Sequence, residues 1–461
     1  MNIKTQMPTL STLAVVLLIT GAIDSIRCLP ATAWFGPPLV FFFMLSAVVF
    51  LIPVALVAAE LSTLWSQEEN GIYGWVKHAF GKRVAFLSIW LQWVNTIVWF
   101  PTILLFISST LAYLIEPAQT NNTLFATMST IIIFWSLTLL GLRGLHTSAR
   151  VASFCAILGM IIPIGLVITL GCLWIAYGHP MAIPLDWQHI MPSFHNLDAW
   201  ISLTSIMTSF LGMELAAVHI RQMRHPQKTF PKAMFYAVGL ILFTMVLGSL
   251  SIAIVLPAKD INLVLGVLQI CHSFLTYHHL EFIMPLLAFM IFIGSTGSMI
   301  NWILAPLKGM SFAAQDGFIP NWLAQKTKHD VPKNLLITQA CLVTLLCLSF
   351  PLLPNINAIY WFFTALSTEL YMCMYVLMFI AAIMIKQKFA HLPRSFLIPG
   401  GNKGYYLSCS LGLMGCVLTL IIGFFPPTEA LSLPHPELYK FYFGFGLLLM
   451  ISPALWPILR R

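Results

Sequence analysis

The residues best suited to chemistry lie within residues 20–30, inside the first long apolar segment of the chain. A run that is otherwise apolar is interrupted there by small, polar and charged residues, namely Gly21, Asp24, Ser25, Arg27 and Pro30. Glycine and proline weaken helical hydrogen bonding, and charge at bilayer depth persists where protein or a water-filled cavity surrounds it. Two interpretations follow: a kinked helix in which Asp24 and Arg27 neutralise each other, or a broken helix whose free backbone groups bind a solute.

A second interruption occurs five apolar segments later. Residues 205–219 hold several hydroxyls, with Gly212 and Glu214 near the middle of the sixth segment. Interrupted helices at matching positions in two halves are typical of transporters built from inverted repeats, which bind their solute between the breaks. Free N–H groups at helix N-termini suit a carboxylate, and free carbonyls suit an ammonium. The two breaks together therefore predict a site for a zwitterion such as an amino acid.

The composition places these breaks in a membrane protein. Of the 461 residues, 59% are hydrophobic and 8% are charged, whereas soluble domains have about 25% charged residues. Apolar segments long enough to span a bilayer occur at 12–35, 38–65, 84–114, 124–142, 150–176, 199–221, 233–256, 282–306, 335–353, 357–385, 405–425 and 438–458. The nine cysteines form no CxxC pair, so neither a metal site nor a disulfide framework is expected.

The distribution of basic residues predicts the orientation. An even number of spans puts both termini on one side, and nearly all of the 23 Lys and Arg residues fall on that side. The exceptions are Lys259, Lys440 and the embedded Arg27. Because cytoplasmic loops carry the excess of basic residues, both termini are predicted to be cytoplasmic. The net charge of +8 then reflects topology and not a nucleic-acid partner.

The sequence resembles the amino acid–polyamine–organocation (APC) superfamily, and most of all its glutamate:GABA antiporter branch. The turn in the first segment is similar to that branch's S-I-R-N-L-P motif, with Cys28 in place of the asparagine. Further matching stretches are 50–61, 90–93, 99–102, 209–214, 225–228, 305–309, 316–318, 371–383 and 398–401. The chain ends at Arg461 without the C-terminal plug of the glutamate:GABA antiporter, so acid-gated glutamate/GABA exchange is not expected.

The resemblance implies an all-α integral membrane protein with a LeuT-type 5+5 inverted repeat. Its twelve transmembrane helices would include discontinuous helices 1 and 6, with repeat one at about 12–176, repeat two at about 199–385 and extra helices at about 405–458. It also implies a secondary active transporter of amino acids in a bacterial inner membrane. Alternating access would operate as amino acid antiport or as a proton-coupled permease.

The partners implied are an amino acid substrate, a counter-transported amino acid or amine, protons and the lipid bilayer. No cofactor, metal or nucleic acid is expected, and both a monomer and a homodimer stay open. A sensor or a channel of the same fold remains an alternative to transport. A membrane enzyme is disfavoured because the histidines that could serve it are scattered over separate loops.

The substrate site is expected at the two breaks and on the tenth segment. Its predicted residues are Gly21, Ala22, Ile23, Asp24, Ser25, Ser209, Phe210, Gly212, Tyr371 and Tyr375. Tyr371 and Tyr375 share a helix face because they are four residues apart. Proton coupling or gating is assigned to Glu214 and Glu369, with a capping or loop-tethering acid as the alternative for Glu214. Ordinary packing is the alternative for Phe210 and for the tyrosine pair.

Three further features predict local structure. Residues 66–83 are amphipathic and predict a short interfacial helix. Glu60, at the end of the second segment, is expected to tie that helix to a loop or helix terminus. The small residues at 294–301 let helices approach closely, and the absence of an acid among them argues against a sodium site.

Overall fold

The structure is a computed structural model of the chain. It describes residues 11–23, 25–65, 71–143, 155, 157–192, 197–223, 225–328, 331–353, 355–427 and 436–459. Asp24, one of the predicted site residues, lies outside the described residues, and the side chain of Ala22 is not described either. The described chain is predominantly α-helical, which confirms the predicted fold class.

Twelve helical stretches among the described residues are long and apolar enough to cross a membrane, and we call them spans 1–12. In chain order they are Thr12–Ala33, Leu39–Leu64, Lys82–Ile115, Thr123–Leu142, Ile157–Ala176, Ala199–Ala217, Pro226–Val255, Glu281–Gln315, Lys333–Leu352, Ile356–Lys388, Gly401–Ile422 and Glu437–Leu455. Each corresponds to one of the predicted segments. Span 7 begins before the predicted 233 and span 8 ends after the predicted 306, because polar turns that continue a helix past the apolar run carry no hydropathy signal.

Several spans consist of more than one helical piece. Span 1 contains helices Thr12–Ile23 and Leu29–Ala33 around the 3₁₀ turn Ile26–Cys28, and span 6 joins Leu197–Thr208 to the 3₁₀ helix Met213–Gln222. Spans 2 and 5 contain the π turns Ala47–Leu51 and Ile157–Ile161. The remaining α-helical pieces are Leu39–Ser46, Ile52–Leu64, Lys82–Ile115, Thr123–Leu142, Ile162–Ala176, Pro226–Val255, Met284–Gln315, Lys333–Cys347, Ile356–Lys388, Gly401–Ile422 and Pro436–Leu459.

Short helices lie between the spans. A helix is present at Gly71–Phe80, within the stretch 66–83 that predicted one, and its apolar residues are buried except for the half-buried Phe80. Its position at the membrane interface stays a prediction. A helix at Gly266–Tyr277, which the sequence analysis did not predict, packs on the second half of span 1. The approach is close, because a Cβ atom on Gly266 would lie 2.6 Å from Cβ of Pro30.

The core of the bundle is formed by spans 3, 6 and 10. Residues in the most apolar window of each are 78%, 78% and 67% buried, whereas the corresponding value for span 12 is 17%. Span 3 packs against both span 8 and span 10. Span 6, which contains one of the two breaks, is therefore enclosed by protein, as exposed irregular backbone in a membrane requires.

Spans 5 and 8 meet at two glycines. A Cβ atom on Gly159 would lie 2.4 Å from Cα of Gly294, which is far closer than van der Waals contact. Gly294 is the first of the small residues that were expected to allow close packing. The backbones of Gly159 and Gly294 are in contact because neither residue has a side chain.

Glu60 ties span 2 to the far end of span 10 and the loop that follows it. Its Oε1 atom accepts hydrogen bonds from Nζ of Lys386 (3.1 Å) and Nη1 of Arg394 (2.7 Å), and its Oε2 atom accepts one from the backbone N–H of Ile398 (3.0 Å). The carboxylate is fully buried, so both of its oxygens need such partners. This is the structural role expected for Glu60.

A second charged cluster joins the helix Gly71–Phe80 to the end of span 8. Asp316 accepts hydrogen bonds from the hydroxyl of Tyr73 (2.6 Å) and the ammonium of Lys77 (2.5 Å), and Lys82 lies 2.8 Å from its other oxygen. Burial acts to raise the pKa of Asp316, but the hydrogen bonds from the two lysines and from Tyr73 outweigh it and hold that pKa well below its usual value.

Candidate transport site

Both predicted breaks are present. In span 1 the helix ends at Ile23, Ser25 is extended (φ −126°, ψ 113°), and a 3₁₀ turn begins at Ile26. In span 6 the helix ends at Thr208, and Gly212 adopts a left-handed conformation with φ 106°. Since only glycine takes that conformation at little cost, Gly212 fixes the position of the second break.

The two breaks are adjacent in space. A Cβ atom on Gly212 would lie 3.7 Å from Cγ1 of Ile23 and 3.5 Å from Cη2 of Trp302. Trp302 is on span 8 and also contacts Trp99 of span 3, with 5.1 Å between the ring centroids. Spans 1, 3, 6 and 8 therefore meet at the point where the backbone of spans 1 and 6 is irregular.

Glu214 lies two residues beyond the second break and is hydrogen-bonded to side chains of two other spans. The hydroxyl of Tyr371 donates to Oε1 (2.5 Å), the hydroxyl of Tyr375 donates to Oε2, and the amide of Gln92 donates to Oε1 (3.1 Å). Tyr375 also accepts a hydrogen bond from the backbone N–H of Gly212 (2.9 Å). The predicted tyrosine pair and the predicted acid thus form one buried network, which links span 6 to spans 3 and 10.

Gln92 is the member of this network that the sequence analysis did not assign to the site. Its side-chain amide also lies 3.3 Å from the hydroxyl of Tyr371, so it bridges spans 3 and 10. The available signal was a lone carboxamide in the apolar segment 84–114. A buried amide of that kind needs hydrogen-bond partners, and the embedded Glu214 was a candidate for one of them.

The other predicted residues of span 6 are buried but make local contacts. The hydroxyl of Ser209 donates to the carbonyl of Ile206 (2.6 Å). Phe210 is fully buried and packs edge-on against Phe43 of span 2, with ring centroids 5.7 Å apart. In span 1, Gly21 and Ser25 are half-buried.

Glu369 is not part of the Glu214 network. It precedes Tyr371 by two residues, which places it about 200° away around the helix. Its carboxyl group faces the end of span 11, because a Cβ atom on Gly423, the residue that follows the span, would lie 1.8 Å from Oε1 of Glu369. Among the described residues neither of its oxygens has a hydrogen-bond partner. The structure therefore separates the two acids that the sequence analysis grouped as proton-coupling candidates.

Arg27 is buried next to the first break. Its Nη1 atom lies 3.4 Å from the hydroxyl of Tyr360, which in turn donates to the backbone carbonyl of Arg27 (3.0 Å). The guanidinium carbon lies 4.9 Å from the ring centroid of Trp99, a cation–π contact. In the described part of the chain, no group of three His, Cys, Asp or Glu side chains is arranged to hold a metal ion.

Comparison with known proteins identifies the family. The family model for amino acid permeases matches residues 10–448. An uncharacterised transporter of Legionella pneumophila is 36% identical over 444 residues, which cover 96% of this chain and 95% of the relative. The glutamate/gamma-aminobutyrate antiporter of Lactococcus lactis is 31% identical over 396 residues (85% and 78%), and a probable agmatine/putrescine antiporter of that species is 23% identical over 389 residues (84% and 81%). With its two broken spans and a family match over nearly its whole length, the chain belongs to the amino acid permease family of the APC superfamily, whose members are secondary transporters.

Proposed function

We propose that this protein exchanges amino acids across the bacterial inner membrane by alternating access, and that Glu214 is the gate of its transport path. The observation that carries the proposal is the buried hydrogen-bond network around Glu214. One carboxylate next to the break in span 6 is held by donors from spans 3 and 10. A solute at the break cannot pass on that side until these hydrogen bonds separate.

The gate also offers a way to couple transport to protons. A carboxylate accepts hydrogen bonds at both oxygens, whereas a protonated carboxyl group becomes a donor at one of them. Because both tyrosine hydroxyls donate to Glu214 in the closed arrangement, a proton on the acid removes one acceptor. Protonation of Glu214 therefore favours separation of spans 6 and 10.

The solute binds at the backbone of the two breaks. The helix that ends at Ile23 leaves carbonyl groups for an ammonium group, and N–H groups of the following turn are available to a carboxylate. In span 6 the carbonyl groups of residues 205–208 accept hydrogen bonds from the N–H groups of residues 209–211, so an ammonium group there would be bound by carbonyl groups that follow Thr208. Residues 21–25 and 209–212 supply this backbone, and Tyr371 and Tyr375 line the path beside it. A site of this kind recognises the common part of an amino acid and leaves side-chain selectivity to other groups.

The arrangement of the spans follows the same proposal. Repeat one comprises about 12–176 and repeat two about 199–385, each beginning with its broken span, and about 405–458 are extra helices. Both termini are cytoplasmic, as the distribution of basic residues indicates. The side on which the helix Gly266–Tyr277 packs against Pro30 is then the periplasmic side.

Counterflow into proteoliposomes tests the proposal. Vesicles containing purified protein are loaded with one unlabelled amino acid at a time, and uptake of a panel of labelled amino acids is measured. Uptake is expected only with an exchangeable amino acid inside, and E214Q should reduce it at least about tenfold, equivalent to about 1.4 kcal/mol. The matched control is E281Q, since Glu281 is exposed and outside the network.

Three outcomes would contradict the proposal. Saturable amino acid binding without flux would favour a sensor of the same fold, and flux that never depends on the internal solute and never saturates would favour a channel. If E214Q and E281Q exchanged amino acids equally well, Glu214 would not be the gate, although the proposal of amino acid exchange would stand.

A further inference from the structure

Glu369, which lies outside the network around Glu214, is an acid buried where spans 10, 11 and 12 meet. Its side chain is fully buried, and neither of its carboxyl oxygens has a hydrogen-bond partner among the described residues. No basic side chain in the described part of the chain forms an ion pair with it. An isolated carboxylate in such a place is costly, because burial removes its water and nothing replaces it. The carboxyl group is therefore expected to be neutral.

The carboxyl group lies at the end of the helix of span 11. That helix ends at Ile422, and Gly423 is its C-cap residue. A Cβ atom on Gly423 would lie 1.8 Å from Oε1 and 2.7 Å from Cδ of Glu369, so the carboxyl group fills the space that a side chain there would occupy. The last carbonyl groups of a helix lack N–H partners within it and carry partial negative charge. A carboxylate is repelled at this end, whereas a protonated carboxyl group has an O–H donor for a free carbonyl.

The titratable neighbours of Glu369 are neutral groups from all three spans. Cys373 of span 10, Cys416 of span 11 and Tyr439 of span 12 each interact electrostatically with the acid. The hydroxyl of Tyr439 is buried and has no hydrogen-bond partner within the described ranges. Thiol and phenol groups supply no positive charge to offset a carboxylate, so these neighbours also favour the neutral acid.

The charged residues of the elements around the site are turned away from it. Lys440 of span 12 is exposed, and its ammonium lies 4.5 Å from the ring centroid of Phe425. Glu437, in the first turn of the same helix, is exposed as well. Spans 3 and 6 pack on another face of span 10, where their acid Glu214 is held by Gln92 and the tyrosine pair. The proton of Glu369 is thus the means by which the site stays uncharged.

Spans 11 and 12 depend on few buried contacts. Residues in the most apolar window are 44% buried in span 11 and 17% in span 12, against 67% in span 10. Aromatic pairs surround the site, with ring centroids 5.9 Å apart for Phe362 and Tyr439 and 5.2 Å apart for Phe424 and Phe443. A charge appearing at this junction would therefore act on the most weakly held part of the bundle.

We propose that Glu369 binds a proton as a structural ligand, and that this proton holds spans 11 and 12 against span 10. The proton is on one carboxyl oxygen and is donated to a free carbonyl at the end of span 11. When it leaves, a carboxylate without a donor faces the negative end of that helix, and the two spans separate from span 10 far enough to admit water. The inference does not rest on the proposed exchange, since it involves neither a substrate nor the network around Glu214.

The pH dependence of unfolding counts this proton. The carboxyl group is neutral in the folded protein and ionised in the unfolded chain above about pH 4.3, so folding takes up one proton. The unfolding equilibrium constant of the wild type should therefore rise, relative to that of E369Q, by up to about tenfold per pH unit between pH 5 and 8. Glutamine has the same size and keeps a donor. The matched control is E437Q, which removes an exposed acid of span 12 and should keep the slope of the wild type.

Two native thiols show whether the spans separate. Cys416 is buried beside the site, and Cys347 is buried in span 9. Alkylation by N-ethylmaleimide at pH 6 and pH 9, followed by mass spectrometry, gives the labelling of Cys416 relative to that of Cys347. Taking the ratio corrects for the greater reactivity of thiols at high pH. The ratio should rise at pH 9 in the wild type and in E437Q, and it should stay constant in E369Q.

Three results would overturn the inference. Equal pH slopes for the wild type and E369Q would show that folding takes up no proton at Glu369. An E369Q variant less stable than the wild type at pH 8 would show that the ionised acid is the stabilising form. Should E369Q not fold, the wild type decides by itself, because a ratio of Cys416 to Cys347 labelling that does not rise between pH 6 and pH 9 excludes the separation of the spans.

Discussion

Removing the hydroxyl of Tyr375 should destabilise the closed bundle more than removing that of Tyr371. Both hydroxyls donate to Glu214, and both side chains are fully or nearly fully buried. The two tyrosines differ in the hydrogen bond that each hydroxyl oxygen accepts. Tyr375 accepts from the backbone N–H of Gly212 (2.9 Å), whereas Tyr371 lies 3.3 Å from the amide of Gln92.

The magnitude follows from which donors are left without a partner. In Y371F the amide of Gln92 keeps Glu214 as its acceptor at 3.1 Å. In Y375F the N–H of Gly212 loses its acceptor inside the protein, and a buried donor without a partner costs about 1–3 kcal/mol. The lost hydrogen bond to Glu214 is common to both variants and cancels in the comparison. Y375F should therefore be less stable than Y371F by about 1–3 kcal/mol, equivalent to about 5- to 150-fold in an equilibrium constant.

Equilibrium unfolding by denaturant in one type of mixed micelle measures the difference. Wild type, Y371F, Y375F and the control Y406F are compared without substrate, with Y406F expected to match wild type because Tyr406 is partly exposed on span 11. The expected order of stability is wild type, then Y371F, then Y375F. A Y371F variant as unstable as Y375F would show that the hydrogen bond between Gly212 and Tyr375 does not support the closed arrangement.

Three further predictions concern other parts of the bundle. D316N should lower the free energy of unfolding at neutral pH, and the difference between D316N and wild type should shrink as pH falls below about 4. The pKa of Asp316 is depressed in the folded protein, so the contribution of Asp316 to stability is complete above the unfolded pKa of about 3.9 and is lost in acid. Unfolding measured at pH 3 to 8 would contradict this if the difference grew in acid. G294A should fold poorly, because its Cβ atom would lie 2.1 Å from Cα of Gly159, whereas G239A should behave as wild type, because a Cβ atom on Gly239 would meet no other atom within 4 Å. Size-exclusion chromatography compares the two variants, and equal behaviour would contradict the close packing at Gly294. Glu369 should be modified by a hydrophobic carbodiimide, detected by mass spectrometry, because its buried carboxyl group has no hydrogen-bond partner among the described residues and such a group is expected to be neutral. E369Q should abolish that modification and retain the fold, and an unmodified wild type would contradict the assignment.

The spans and the two breaks could be predicted from sequence because each has a local cause. Apolar segments of about 20 residues have one stable form in a bilayer. The break at Gly212 needed a residue that tolerates positive φ, and the sequence has a glycine there beside a buried acid. The tyrosine pair could also be assigned to one face, since a spacing of four residues determines it.

The contacts across the site could not be predicted in the same way. Gln92, Tyr360 and Trp302 come from three different spans, and their meeting depends on how whole helices pack. The separation of Glu369 from the tyrosine pair could have been predicted, because Glu369 and Tyr371 are two residues apart on a helix and such a spacing excludes a common face. The assignment of Glu369 to proton coupling or gating stays a prediction. The boundaries of the repeats and the orientation in the membrane remain predictions.

The cluster around Glu60 constrains the order in which the protein can be assembled. Its partner Arg394 follows 334 residues later in the chain. At a synthesis rate of about 5–20 residues per second, the ribosome needs roughly 17–67 s to make that stretch. During this interval span 2 has an acid at its end with neither basic partner yet made, so the acid must stay hydrated at the edge of the membrane. Burial of Glu60 is then a late step of biogenesis, and a chain truncated before Lys386 would leave span 2 unanchored.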